Sequence, residues 1–175
     1  MKKNILIAVT GKTPQVVTET LYTLIVQKND TIDEIYIITT AEGRDKILEV
    51  DLQCKIKELC LRYKKNVPQF LPQTHIYVAQ EESVELADIR TDKDNQLFPN
   101  LIADIIRRHT EDANARLHCS IAGGRKTMSV AMAFALSLFG RKQDVLSHVL
   151  VSPDFEKSGK FYPENEIENK QLVLA

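Results

Sequence analysis

Two short segments carry most of the chemistry in this chain: Thr10-Gly11-Lys12-Thr13-Pro14-Gln15 and Ala122-Gly123-Gly124-Arg125-Lys126-Thr127. Glycines let backbone N–H groups approach a phosphate with no side chain between, and a helix start behind them adds unpaired donors and the positive end of a dipole. Arg125 and Lys126 put two cations at the same point, so the second segment reads as an anion site. Lys126 is the first choice for a phosphate contact, as a point charge able to reach a bridging phosphate, while Arg125 either joins it or pairs with an acid. Thr10 and Thr13 offer hydroxyls from the first segment, beside Gly11, Lys12 and Pro14, and Thr127 offers one from the second. Each of these threonines serves equally well as a helix cap or turn bond. Gln15 carries an amide of the kind that reads a nucleobase edge.

Common phosphate motifs fit poorly. Gly124-Arg125-Lys126-Thr127 resembles the end of a P-loop, but the first glycine of that motif is missing and Arg separates Gly from Lys. The first segment lacks G-x-G-x-x-G, and Thr39-Thr40 stand where a dinucleotide binder places its ribose-binding acid.

The elements that must position these segments follow from periodicity. Ile5-Leu6-Ile7-Ala8-Val9 is a short continuous apolar run, the pattern of a strand buried on both faces of a parallel sheet. Residues 14 to 27 then place Val17, Leu21, Leu24 and Ile25 at helical spacing behind Pro14. The alternation continues with a strand at 34–38, a long helix over about 44–64 with Ile47, Val50, Cys54 and Leu61 on one stripe, and a strand at 75–78. A polar stretch from Glu81 to Asn95 precedes a third helix marked by Leu97, Leu101 and Ile105, then a strand at 117–121, a largely buried helix over 126–139, and a fifth strand at 145–151. This order implies an α/β fold, a three-layer, doubly wound parallel sheet of Rossmann-like type, with Leu172-Val173-Leu174 as an extra C-terminal edge strand. The 175 residues suit one domain, with a core over about 3–152 and an extension over 153–175.

In the common 3-2-1-4-5 strand order the ligand crevice lies between the first and fourth strands, and the two glycine segments follow those two strands. Thr39, Thr40 and Glu42 end the second strand near the same rim, and the two threonines are carried as candidates. Asp88 and Arg90 follow the third strand, either as ligand contacts or as an internal pair that fixes the loop.

Lys plus Arg (23) nearly balances Asp plus Glu (24), so no global field attracts a long duplex, and any nucleic-acid ligand is small and locally bound. Cys54, Cys60 and Cys119 form no C-x-x-C pair, which points to buried thiols in a reducing cytoplasm rather than a disulfide or zinc framework. The apolar run after Met1-Lys2-Lys3-Asn4 is too short for a signal peptide or a membrane span. His118 and His148 fall inside expected strands, away from the rim. Arg141 and His148 show an R-x6-H spacing outside a helical context, which reads as chance.

The motifs Gly11-Lys12-Thr13-Pro14-Gln15-Val16-Val17-Thr18-Glu19-Thr20-Leu21-Tyr22, Asp88-Ile89-Arg90-Thr91, Ser120-Ile121-Ala122-Gly123-Gly124-Arg125-Lys126-Thr127-Met128-Ser129 and Leu138-Phe139-Gly140-Arg141, with Leu146-Ser147-His148-Val149-Leu150-Val151, together resemble one branch of the CRISPR-associated Rossmann-fold (CARF) family. The resemblance runs from about residue 4 to Pro163. It implies a homodimer whose two strand-end pockets merge, with cyclic tetra-adenylate or hexa-adenylate across the two-fold axis, since equivalent phosphates of an even-membered ring then meet equivalent residues. It also implies one of two activities. A ring nuclease opens the ring by attack of a ribose 2′-hydroxyl on its own phosphate, giving 2′,3′-cyclic phosphates with neither metal nor cofactor. Lys126 and the N–H groups of Gly124 and Arg125 would then meet the charge, and Thr10 or Thr13 would orient the hydroxyl. With no evident general base, turnover is expected to be modest. A sensor instead holds the ring intact and switches an effector, either a separate protein or a domain beyond about residue 165. The lack of a fused effector favours the nuclease, and a Rossmann-like domain for another nucleotide is the third reading.

Overall fold

The computed structural model describes residues 2–175. Its main strands are β1 (Lys3–Val9), β2 (Glu34–Thr39) and β3 (Ile76–Val78), followed by a small hairpin of β4 (Gln80–Glu81) and β5 (Val84–Glu85), then β6 (Ala115–Ser120) and β7 (Val145–Ser147). Leu6 and Ala8 of β1 point into one apolar layer, and Ile5, Ile7 and Val9 into the other. A strand covered on both faces needs crossover connections that lay helices above and below it. The sheet is accordingly parallel throughout, in the order β3-β2-β1-β6-β7, so the first and fourth main strands are neighbours as expected.

One layer is packed by α1 (Gln15–Tyr22), α2 (Ala41–Glu49) and α3 (Leu52–Arg62); after the short α4 (Pro72–His75), the other is packed by α5 (Asp92–Thr110) and α6 (Lys126–Phe139). Past Tyr22, α1 continues as a π-helical turn over Thr23–Gln27, closed by the bond from Lys28 N to the Thr23 carbonyl at 2.9 Å. Among the described residues no helix is long and apolar enough to cross a membrane, and no cluster of three or more His, Cys, Asp or Glu is placed to hold a metal ion.

Four elements differ from the sequence reading. The expected long helix is two, because Asp51 adopts the left-handed conformation (φ 49°) and its carboxylate caps α3 at Cys54 N, 3.1 Å away; short polar side chains tolerate that conformation. Its buried residues are Ile47, Leu52, Ile56, Leu59 and Cys60, whereas Cys54 and Leu61 of the expected stripe face solvent. The third helix begins five residues before Leu97, at a capping box in which Thr91 Oγ1 accepts from Asp94 N (3.1 Å) and Asp94 accepts from Thr91 N (2.8 Å).

The expected fifth strand breaks at His148, whose backbone pairs with Ala175. Its first half stays in the main sheet as β7. Its second half, β8 (Val149–Val151), leaves the sheet, and after α7 (Pro153–Ser158) and α8 (Glu166–Asn169) it pairs antiparallel with β9 (Leu172–Leu174). The extra C-terminal strand is therefore present, as the partner of β8 in a separate two-stranded ribbon.

Finally, α6 is not largely buried. Met128, Ala131, Met132 and Ala135 face the core, but Val130, Phe134 and Leu138 are 54%, 66% and 74% exposed and form one stripe at i, i+4 and i+8. Arg141 is structural, donating to Asp144 and to the carbonyls of Thr110, Asp112 and Ala115. His118 is buried 2.6 Å from Ser147 Oγ, with its pKa lowered to about 4 by burial and then by Arg116.

Candidate functional site

β1 and β6 pair with Ala8 opposite Ser120, so the loops that leave them emerge side by side at the carboxyl edge of the sheet. There the backbones almost touch: a Cβ on Gly11 would lie 3.5 Å from the Gly124 Cα. Gly124 has φ +78°, a left-handed conformation that turns the chain from β6 into α6 and that a side chain would strain. Between the loops opens a cleft of about 430 Å³. The first loop contributes Gly11, Lys12 and Thr13, and the second Ala122, Gly123, Gly124 and Arg125. Thr40 and Asp88 close one side, Val16 and Met128 give an apolar wall, and Glu156 enters from α7.

The rim is an ionic network. Lys12 pairs with Glu42, Arg125 Nη2 donates to Asp88 Oδ2 at 2.7 Å, and Arg90 lies 3.4 Å from Asp88 and 3.8 Å from Glu42. Burial pushes the Asp88 carboxyl up, but the hydrogen bonds from Arg125 and from Ile89 N outweigh it and hold it below the usual carboxylate range. Asp88 thus pairs with Arg90, and Arg125 is tied to the same acid.

Thr40 stands in the wall of this cleft, whereas Thr10, Pro14, Gln15, Thr39, Arg90, Lys126 and Thr127 lie around it. Thr10 is wholly buried and its hydroxyl donates to the Thr13 carbonyl at 3.1 Å, which shapes the loop from beneath. Thr40 caps α2 by accepting from Gly43 N at 3.2 Å. Thr39 is buried with its hydroxyl unpartnered, against Gly43, where a Cβ would meet Thr39 Oγ1 at 2.0 Å; only glycine lets α2 start so close to the sheet. Pro14 sets the start of α1, and Gln15 Oε1 is buried with no donor. Lys126 and Thr127 are the first two residues of α6 and are exposed; Lys126 lies outside the cleft wall and forms no ion pair among the described residues.

The sequence reading missed Val16, Met128 and Glu156, and it set Glu42 aside. It also missed Glu19, one helical turn below Val16 and only 5% exposed. Burial, and after it the charge of Glu156, raises the Glu19 pKa from 4.5 to about 7. An acid that holds its proton more tightly when folded favours the native state at low pH. That contribution is full below 4.5, is lost as pH rises to about 7, and amounts to up to about 3 kcal/mol. Glu19→Gln should flatten this slope in urea unfolding compared at mildly acid and mildly alkaline pH. Identical pH dependence in the two proteins would show that Glu19 keeps an ordinary pKa.

Residues 13–174 match the family model described as CRISPR-associated protein NE0113. The chain belongs to that family. No curated protein sequence matches it. Among solved structures, Csm6 from Enterococcus italicus, bound to cyclic hexa-2′-fluoro-hexa-dAMP, shares the fold with a TM-score of 0.58 at 14% identity, over 100% of this chain and 41% of Csm6. This NE0113-family chain thus spans less than half the length of that relative, and family and fold together mark it as a CARF-type CRISPR-associated protein with a Rossmann-like sheet. A structure described as a putative UDP-N-acetylglucosamine 2-epimerase from Listeria monocytogenes aligns over 86% of this chain and 32% of its own at 16% identity, with a TM-score of only 0.41.

Proposed function

We propose that this chain is one ligand-binding domain that holds a cyclic tetra- or hexa-adenylate in the cytoplasm, as a two-fold homodimer, and opens the ring without a metal. The observation that carries this reading is the meeting of two glycine loops at the switch point of the sheet, each leading into a helix, with Lys12, Arg125 and Lys126 at the same edge. A relative of the same fold has been solved with a cyclic oligonucleotide of the same chemical class, which supports it. The cleft of about 430 Å³ is near the lower end of the range for a drug-sized ligand, so one protomer encloses a fraction of a ring and two are needed. The exposed stripe of Val130, Phe134 and Leu138 is the surface on which α6 would meet its two-fold mate. Lys126, at the end of that helix, would then stand beside the merged site.

The second reading, a sensor that keeps the ring intact for an effector domain or a separate effector protein, draws on the rim. The cations Lys12, Arg90 and Arg125 are already engaged by Glu42 and Asp88, so an arriving polyanion must displace carboxylates and shift the loops, as a switch requires.

Incubation of the purified protein with cyclic tri-, tetra- and hexa-adenylate, with and without EDTA, and separation of the products decides between them. The nuclease reading expects EDTA-insensitive conversion of the tetramer or hexamer to 2′,3′-cyclic phosphates. Tight binding with no product supports the sensor, and no binding of any ring overturns both.

A further inference from the structure

The cleft holds one carboxylate that the ionic network leaves unpaired. Asp88 is engaged by Arg125 and Arg90, and Glu42 by Lys12 and Arg90, whereas the Glu156 side chain forms no ion pair or hydrogen bond with any described residue. Its helix is nonetheless firmly held. Ser152 Oγ caps α7 at Phe155 N (3.2 Å), Pro153 sets the first turn, Ser158 Oγ donates to the Phe155 carbonyl (2.6 Å), and Phe155 is 2% exposed in the core. The charged groups around Glu156 are Lys12, Asp88 and Arg125 in the cleft wall and the buried Glu19 of α1 behind it.

An unpaired carboxylate in an anion cleft weakens the binding of phosphates, and its repulsion with Glu19 does nothing for the fold. A carboxylate only accepts hydrogen bonds, so what it suits in a nucleotide ring is a donor.

We propose that Glu156 is the general base for ring opening, which rests on the nuclease reading above. Its carboxylate takes the proton of a ribose 2′-hydroxyl as O2′ bonds to the adjacent phosphorus. The bond from phosphorus to O5′ breaks, and O5′ takes a proton from solvent to become a free 5′-hydroxyl. The product is a linear chain ending in a 2′,3′-cyclic phosphate, and Glu156 then returns its proton to solvent. No water is consumed and no electron changes hands.

The experiment is single-turnover cleavage of saturating cyclic tetra- and hexa-adenylate by the wild type, Glu156→Gln, Glu156→Asp and Glu19→Gln across the acid and neutral range. Glu156→Gln should cut roughly a hundredfold or more slowly while binding the ring as tightly as the wild type or more so. Glu156→Asp should retain part of the rate. The loss of rate toward low pH should persist in Glu19→Gln and vanish in Glu156→Gln. Because Glu156 is exposed and its charge repels Glu19, a melting temperature no lower than that of the wild type separates this effect from misfolding. A Glu156→Gln protein that cuts at the wild-type rate, or that keeps the acid limb, overturns the assignment and leaves the nuclease reading standing. A wild type that binds the rings without cutting them removes the nuclease reading, and the base falls with it.

Discussion

Lys126→Ala should slow ring opening by about a hundredfold or more while weakening ring binding much less. In the proposed reaction negative charge builds on the phosphate as the 2′-oxygen attacks, and a cation at the helix start behind Gly123 and Gly124 would interact more strongly with that transition state than with the resting diester. Lys12, Arg90 and Arg125 are committed to carboxylates, so Lys126 is the rim cation with no ion pair among the described residues. The rate should be insensitive to EDTA, and a ring with 2′-methoxy groups should bind and stay intact. Single-turnover rates and titrations on the two proteins measure the split. Equal losses in binding and rate would make Lys126 a simple anchor, and cleavage of the 2′-blocked ring would mean that water attacks instead.

If the proposed two-fold dimer forms through α6, Phe134→Glu should leave the protein monomeric and lower ring affinity by about a hundredfold or more. Phe134 sits in the middle of the exposed stripe on α6, between Val130 and Leu138. Burying a large apolar side chain contributes roughly 1.5–3 kcal/mol, and a two-fold contact counts it twice, whereas two glutamates near the axis repel. Since Phe134 is 66% exposed in the protomer, the substitution should not lower the melting temperature of the isolated chain. Light scattering with and without ring reads the oligomeric state. A Phe134→Glu protein that stays dimeric and binds normally would place the interface elsewhere.

Periodicity announces the layers of the fold because β1 and β2 are local apolar runs and α1, α5 and α6 each carry a local apolar stripe. Lys126–Phe139 forms a helix over the same bounds that its composition predicts. What local patterns hide are the breaks. Residues 145–151 read as one continuous strand, and the bend at His148 is set by pairing with Ala175 at the far end of the chain. That bend carries α7 to the cleft, so Glu156, which follows no motif, has no signal in its neighbourhood. Val16 and Met128 look like ordinary helix-stripe residues until the two loops are seen to close over them. Gly11, Lys12, Thr13, Thr40, Asp88, Gly123, Gly124 and Arg125 gather at one cleft because strand order brings their loops together. Thr10 belongs to the same segment but turns inward, a choice made by the Thr13 carbonyl that spacing alone does not reveal.

The widened turn at the end of α1 sets the angular phase between the site and the C-terminal ribbon. A π turn spends one residue more than an α turn, which rotates everything after it by roughly 100° about the helix axis. In that phase Gln27 Nε2 meets the Asn169 carbonyl and side-chain oxygen, both at 2.9 Å, and the Leu172 carbonyl at 3.1 Å, while the Tyr22 hydroxyl donates to Asn169 at 2.8 Å. Loss of a single residue between Thr23 and Gln27 would swing that amide off the ribbon and unfasten the helix that leaves the first glycine loop from the segment that follows α7.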